Sequence, residues 1–184
     1  MSIQARRERE RAERERLIIT AARELAEAEG WDAVTTRRLA EEVEYSQPVL
    51  YSHFKGKDAI MTAVAVEGFA DLAEELRAVV PSGLAAVAVA YVSFAERRPA
   101  LYDAMFNQSV DLPFASPAAP AALHAGFDAI ADAVRPHADG EDVGLLTETF
   151  WAALHGLTTL TRDARIPRAG HDQRLALLLD RFTR

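Results

Sequence analysis

Cysteine is absent from the 184 residues, which excludes a disulfide framework, a thiolate metal site and a thiol nucleophile. No apolar run approaches the ~20 residues a bilayer-crossing helix requires. The opening segment is charged rather than apolar, so a secretory leader is not expected; the sequence reads as soluble and cytoplasmic. Strand signals are missing too: no sustained period-two alternation occurs, and no Asn-Gly or Asp-Gly hairpin signal stands between alternating runs. Phosphate-binding glycine loops, Gly-x-Ser-x-Gly and His-Glu-x-x-His are all absent. The five histidines, at 53, 124, 137, 155 and 171, have no metal-ligand spacing. An enzyme, a metal and a cofactor are therefore not expected.

What remains is a helix former's composition, rich in alanine, leucine, glutamate and arginine, with 49% hydrophobic residues to build a core. The expected class is all-α. Net charge is −7, which taken alone argues against a polyanionic partner. The distribution says more: residues 1–60 hold 11 Lys/Arg against 12 Asp/Glu, and the rest hold 10 against 16. Within the first sixteen residues, six arginines stand against four glutamates. This alternating Arg/Glu run reads either as a solvated helix extension with side-chain pairs or as an arm that touches phosphates; the two are compatible.

From Leu17 the apolar period becomes helical, with Leu17, Ile18, Ala21, Ala22 and Leu25 on one stripe and Gly30 as a left-handed cap. Thr35 is an N-cap for a short helix carrying Leu39, Ala40 and Val43. Ser46 is the next N-cap, with Gln47 and Pro48 in the first turn, where a missing N–H costs little. Val49 to Phe54 complete a third helix whose Leu50 and Phe54 face inward. A longer helix runs from about Lys57 to Val79. Further helices are expected near 83–96, 99–108, 118–134, 141–163 and 171–183, with Asp111–Pro120 a loop or an irregular helix start.

Two short helices joined by Glu44-Tyr45 have the spacing of a helix-turn-helix, whose second helix enters the major groove. Thr35, Thr36, Arg37 and Arg38 at the start of the first helix suit a phosphate. Gln47 suits base edges, and Pro48 or Val49 a thymine methyl. Tyr51, Ser52 and His53 are polar donors, and Lys57 stands beside the path of a backbone.

The runs Thr35-Thr36-Arg37-Arg38-Leu39-Ala40-Glu41-Glu42-Val43 and Ser46-Gln47-Pro48-Val49-Leu50-Tyr51-Ser52-His53-Phe54-Lys55-Gly56-Lys57-Asp58-Ala59-Ile60 resemble the signature of TetR/AcrR-type regulators. The resemblance covers about residues 15–61. It implies a homodimer of sequence-specific transcriptional regulators, by default repressors, on a palindromic double-stranded DNA operator, with a small-molecule effector bound in the C-terminal part. It also implies that Tyr51, His53 and Lys57 touch phosphates while Gln47, Pro48, Val49 and Ser52 lie nearer the bases. The division expected is 1–60 for DNA binding and 61–184 for effector binding and dimerisation. One departure stands out. The family's turn carries Ala-Gly-Val-Ser where this chain has Val43-Glu44-Tyr45-Ser46; glutamate at a positive φ would cost about 1 kcal/mol, or the turn would be reshaped.

In the C-terminal part, Leu146, Phe150, Ala153, Leu157 and Leu160 form a seam spaced four, three, four, three. A second face offers Thr149, Ala152, Gly156 and Thr159. With Leu175, Leu178, Leu179 and Phe182 of the last helix, the seam is read as a dimer interface, with an intramolecular core as the alternative. Trp151-Ala152-Ala153-Leu154-His155-Gly156 resembles a Trp-x-x-x-His-Gly motif of one subgroup of the family. Trp151 and His155 share a face, either as a structural pair or as pocket lining. Phe69, Tyr91, Phe94, Tyr102, Met105, Phe106 and Phe127 are the other pocket candidates, each equally at home in a core.

Overall fold

The computed structural model describes residues 2–183 apart from 107–109, 111 and 115. Among the described residues there are nine α-helices, three short 3-10 turns and no strand. Asp111, within the expected loop before residue 120, lies outside the described residues.

Helix α1 (Ile3–Glu29) starts where the Ser2 hydroxyl accepts the Ala5 N–H at 3.2 Å, a side-chain cap for an otherwise orphaned donor. Ile18, Ala21, Ala22 and Leu25 of the expected stripe are buried, but Leu17 is 47% exposed. One residue is a 100° step round a helix, and Leu17 falls off the edge of the stripe. Gly30 has φ 82 and ψ 165. A positive φ is needed there, but the conformation is extended, not the left-handed cap expected, and it launches a 3-10 turn over Trp31–Ala33.

Helix α2 (Thr36–Glu42) is capped by Thr35, whose hydroxyl accepts the Arg38 N–H at 3.2 Å. Helix α3 (Gln47–His53) follows Ser46, which caps by position without a side-chain hydrogen bond. Then come α4 (Lys57–Val79), α5 (Leu84–Arg97), α6 (Pro99–Phe106), α7 (Ala121–Val134), α8 (Val143–Arg162) and α9 (His171–Phe182).

The chain forms two compact units. The first comprises residues 1–68 and 98–118, so α6 belongs with the amino-terminal helices although α5 precedes it in the chain. Helix α6 is held there by specific bonds. The Glu27 carboxylate accepts the N–H groups of Ala100 at 3.2 Å and Leu101 at 2.9 Å, capping α6 from α1. The buried Trp31 indole donates to the Ala100 carbonyl at 2.7 Å. Gly68 lets α4 come close: a Cβ there would lie 2.7 Å from the Met105 sulfur and 2.8 Å from a Leu101 methyl.

The second unit comprises residues 69–97 and 119–184. Helix α5 buries Leu84, Val87, Ala88, Tyr91, Val92, Phe94 and Ala95 and packs on α7, α8 and α9. The inward face of α8 is Thr147, Phe150, Leu154, Thr158 and Thr161, so of the seam read as a dimer interface only Phe150 is enclosed by its own chain. Its threonines can be buried because each hydroxyl donates to the carbonyl four residues back, at 2.6 to 2.8 Å, so none of these three hydroxyls is left unsatisfied.

Candidate functional site

The turn between α2 and α3 aims everything that follows. The Tyr45 N–H donates to the Ala40 carbonyl at 2.8 Å and the Glu44 N–H to Glu41 at 3.3 Å. These are the two bonds of a Schellman motif, with Glu44 in the left-handed position that glycine normally takes. Its φ is 55°. The turn keeps its geometry and the glutamate carries the strain; the backbone is not reshaped.

Helix α3 has one inward residue in its first turns, Leu50, which is fully buried. Around it Gln47, Pro48, Val49, Tyr51 and Ser52 are exposed, Val49 by 37% and Tyr51 by 51%. The Ser52 hydroxyl donates to the Val49 carbonyl at 2.6 Å. At the edge shared with α2, the hydroxyls of Thr36 and Tyr51 meet at 3.3 Å, so two groups capable of donating converge on one exposed spot.

His53 differs from its neighbours. Its side chain is only 6% exposed, and Nδ1 lies 3.3 Å from a Glu15 oxygen on α1. The same carboxylate accepts from Arg11 Nε at 2.8 Å. Burial raises the Glu15 pKa, but hydrogen bonds from Arg11 and His53, with their charges, outweigh it and hold the carboxyl below its ordinary value. Lys57 is also occupied: its ammonium donates to the Trp31 carbonyl at 2.5 Å. Thr35 is exposed as the α2 cap, and Arg37, exposed, pairs with Glu41 at 3.1 Å. Arg38 pairs with Glu29, and that bond lowers the Glu29 pKa and raises that of Arg38. Glu15, Glu27 and Trp31 were not legible as site-shaping residues. Their partners lie 38, 73 or 74, and 69 residues away, and no local spacing signals such a bond.

The aromatic candidates divide between the units. Tyr102 and Met105, both fully buried, and Phe106 belong to the first; the rings of Tyr102 and Phe106 meet at a tilt of 52° with centroids 4.7 Å apart. Phe69, Tyr91, Phe94, Phe127, Trp151 and His155 belong to the second. There Trp151, His155 and Tyr91 come together. Trp151 Nε1 donates to the Tyr91 hydroxyl at 3.1 Å, which lies 3.0 Å from His155 Nδ1. Thr159 Oγ1 stands 3.4 Å from His155 Nε2. Burial, and secondarily the Arg162 charge, push the His155 pKa below its ordinary 6.5. Phe69 and Phe94 are buried and Phe127 is half-buried. An open cleft of about 660 Å³ lies elsewhere, on the first unit, lined by Thr20, Arg23, Glu24, Glu27, Ala28, Arg98 and Leu101; it contains none of the candidates.

Of the expected dimer residues, Phe150 and Leu175 are enclosed by their own chain, and Phe150 meets Phe182 edge-on at 5.1 Å. Leu146, Ala153, Leu157, Leu178, Leu179 and Phe182 are half-buried and Leu160 is 44% exposed. The outer side of α8 exposes Leu145, Thr149 and Ala152 besides Leu160, and α9 exposes Leu177 by 57%. Among the described residues no helix is long and apolar enough to cross a membrane.

A short capped helix held outward by a regular turn, on a three-helix platform, is a helix-turn-helix domain. Residues 18–64 match the family of bacterial regulatory proteins called tetR, and residues 84–182 match the tetracyclin repressor-like C-terminal domain. The chain belongs to the TetR family of bacterial regulatory proteins, and its helix-turn-helix lies within the part that matches the family's amino-terminal domain. It is 33% identical over 95 residues to the uncharacterised regulator YobS of Bacillus subtilis, covering 49% of this chain and 50% of that one. It is 48% identical over 50 residues to the class D tetracycline repressor protein of Escherichia coli, covering 27% of this chain and 23% of that one. The chain thus spans half or less of these relatives' length. A solved structure of a protein of unknown function from Rhodococcus sp. RHA1 superposes with TM-score 0.75 at 27% identity, covering 91% of this chain and 92% of that one.

Proposed function

We propose that the protein is a ligand-responsive repressor that binds a palindromic DNA operator as a homodimer. Residues 1–60 do the reading; residues 61–184 bind the effector and pair the two copies. The observation that carries the reading is the outward face of α3: Gln47, Pro48, Val49, Tyr51 and Ser52 are exposed while Leu50 anchors the helix from behind. A major groove about 12 Å wide admits such a helix. Gln47 addresses base edges, Pro48 and Val49 offer apolar contact, and Ser52 stands next to them. Thr35, Thr36, Arg37 and Tyr51 surround the probe with phosphate donors, and Thr36 and Tyr51 share one phosphate. Lys57 stands at the rim of that set, and His53, turned inward on Glu15, steadies the end of the probe.

Trp151, His155 and Tyr91 are the polar corner of the effector site, with Phe69, Phe94 and Phe127 from the same unit. The tetracycline repressor relative matches over only 50 residues, so tetracycline is not carried over as the effector. The outer stripe of α8, with Leu160 and the exposed Leu177 of α9, is the surface offered to a second copy. Effector binding would favour a head spacing that no longer fits successive half-sites.

The test selects bound fragments from genomic DNA, then measures affinity for the enriched sequence across salt concentrations. A steep loss of affinity with salt and strong preference over random duplex are expected; no preference over random competitor ends the reading. Within it, Tyr51→Ala weakens all sequences alike, whereas Gln47→Ala costs about 1–3 kcal/mol at one base position and relaxes preference there. The reverse pattern would reassign the two residues.

A further inference from the structure

The buried stripe of α1 begins at Ile18, but its spacing continues towards the amino terminus. Ile18, Ala21 and Leu25 are spaced three and four apart and face the core. Continued towards the amino terminus with the same four-three spacing, the stripe becomes Arg14, Arg11 and Arg7. These lie on the side of the helix that faces the rest of the unit, but all three are exposed. The junction is fixed, because Glu15, one residue past Arg14, is bonded to His53 at the end of α3. The arginine stripe therefore runs out directly past the end of the short helix that carries Gln47 to Ser52.

Several other polar side chains of the run are engaged along the helix. Arg6 pairs with Glu10 at 3.5 Å, and Gln4 donates to Glu8 at 3.1 Å. Glu13 lies on the opposite side of the helix from Glu15, whereas Glu10 borders the stripe, three residues from Arg7 and four from Arg14. Arg7 and Arg14 make no ion pair or hydrogen bond among the described residues. Arg11 pairs only along its own helix, with Glu15, and keeps 61% of its side chain exposed. Arg7 and Arg11 are four residues apart, a like-charge pair that disfavours the isolated helix. The stripe holds three arginines, flanked by Glu15, which pairs with Arg11, and by Glu10, which pairs with Arg6; it spans about 10 Å along the axis from Arg7 to Arg14, at 1.5 Å per residue.

We propose that the first four turns of α1 are a second DNA-binding element: Arg7, Arg11 and Arg14 hold the phosphates of the strand flanking the bases addressed by α3. The occupant is the duplex backbone, chosen by charge complementarity and by continuity with α3. This rests on the reading of α3 given above. The contact adds affinity without sequence preference, since phosphates carry none.

The test compares full-length wild type with R7A/R14A and with R7K/R14K on the selected operator and on random duplex. Both changes are on an exposed helix face, and circular dichroism and thermal unfolding confirm that each variant folds. R7A/R14A is expected to bind operator and random duplex more weakly by the same factor, roughly tenfold or more, with a salt slope shallower by about one unit per contact removed. R7K/R14K keeps the slope because it keeps the charges. If R7A/R14A binds with unchanged affinity and unchanged slope while the wild type reads its operator, the arm is overturned and the role of α3 stands. If R7A/R14A loses preference among sequences instead, the stripe acts on α3 and not on phosphates, which also overturns the proposal. Failure of the wild type to prefer any duplex would remove the reading of α3 itself.

Discussion

Glu44 sits at φ 55° inside an otherwise regular Schellman turn. A Cβ in the left-handed region costs about 1–2 kcal/mol, and glycine removes that cost while giving some back as unfolded-chain entropy. Glu44→Gly is therefore expected to raise stability by about 1 kcal/mol, seen as a higher midpoint in denaturant with an unchanged slope. The strain was legible because one residue type occupied a position whose backbone demands another. The outward face of α3 was legible for a similar reason: Leu50 had to point inward, which left its neighbours outside. His53 was not. Its spacing put it with Tyr51 and Ser52, but a carboxylate 38 residues away draws it inward, and sequence spacing carries no trace of such a bond.

Helix existence was read almost throughout, since 3.6-residue periodicity and Thr, Ser and Pro at the starts are local signals; α4 falls on Lys57–Val79 as expected. What escaped was association. Helix α6 belongs with α1 because Glu27 caps it and Trp31 binds its first carbonyl. The inward face of α8 escaped for a chemical reason: threonine counts as polar in a periodicity search, yet it is buried at no polar cost when its hydroxyl bonds back to its own helix. Glu27→Ala leaves two α6 N–H groups without their acceptor and is expected to cost about 1–2 kcal/mol, while Glu27→Gln retains part of that because its amide oxygen still accepts. Thermal unfolding of the pair measures it; equal losses in both variants would mean that charge, and not capping, holds α6.

Over the whole molecule, two expectations concern acid and assembly. His155 has its pKa lowered by burial and then by Arg162. The unfolded chain therefore binds this proton more readily than the folded one, so the stability associated with neutral His155 is present above about pH 6.5 and is lost as pH falls through and below that value. Between pH 7.5 and 5.5 the melting temperature should fall, and His155→Gln should flatten that dependence. Glu15, with its pKa below the ordinary 4.5, acts in a separate window: the stability it contributes is present above about 4.5 and is lost as pH drops further. For assembly, Leu160 is 44% exposed on the outer side of α8. In the proposed two-fold arrangement Leu160→Glu places like charges near the axis. The expected result is a monomer by sedimentation, with a matching loss of operator affinity and little change in the chain's own fold. A dimer that survives this change would move the interface elsewhere.

The way α3 is tethered has a practical meaning. Leu50 from below and the grip of Glu15 on His53 fasten the segment at positions that contribute no outward side chain at its start, so Gln47, Pro48 and Val49 can be exchanged like the bits of a screwdriver. A triplet transplanted from another regulator should leave the handle intact and change only which groove pattern it fits. New promoter specificities could then be installed here three codons at a time.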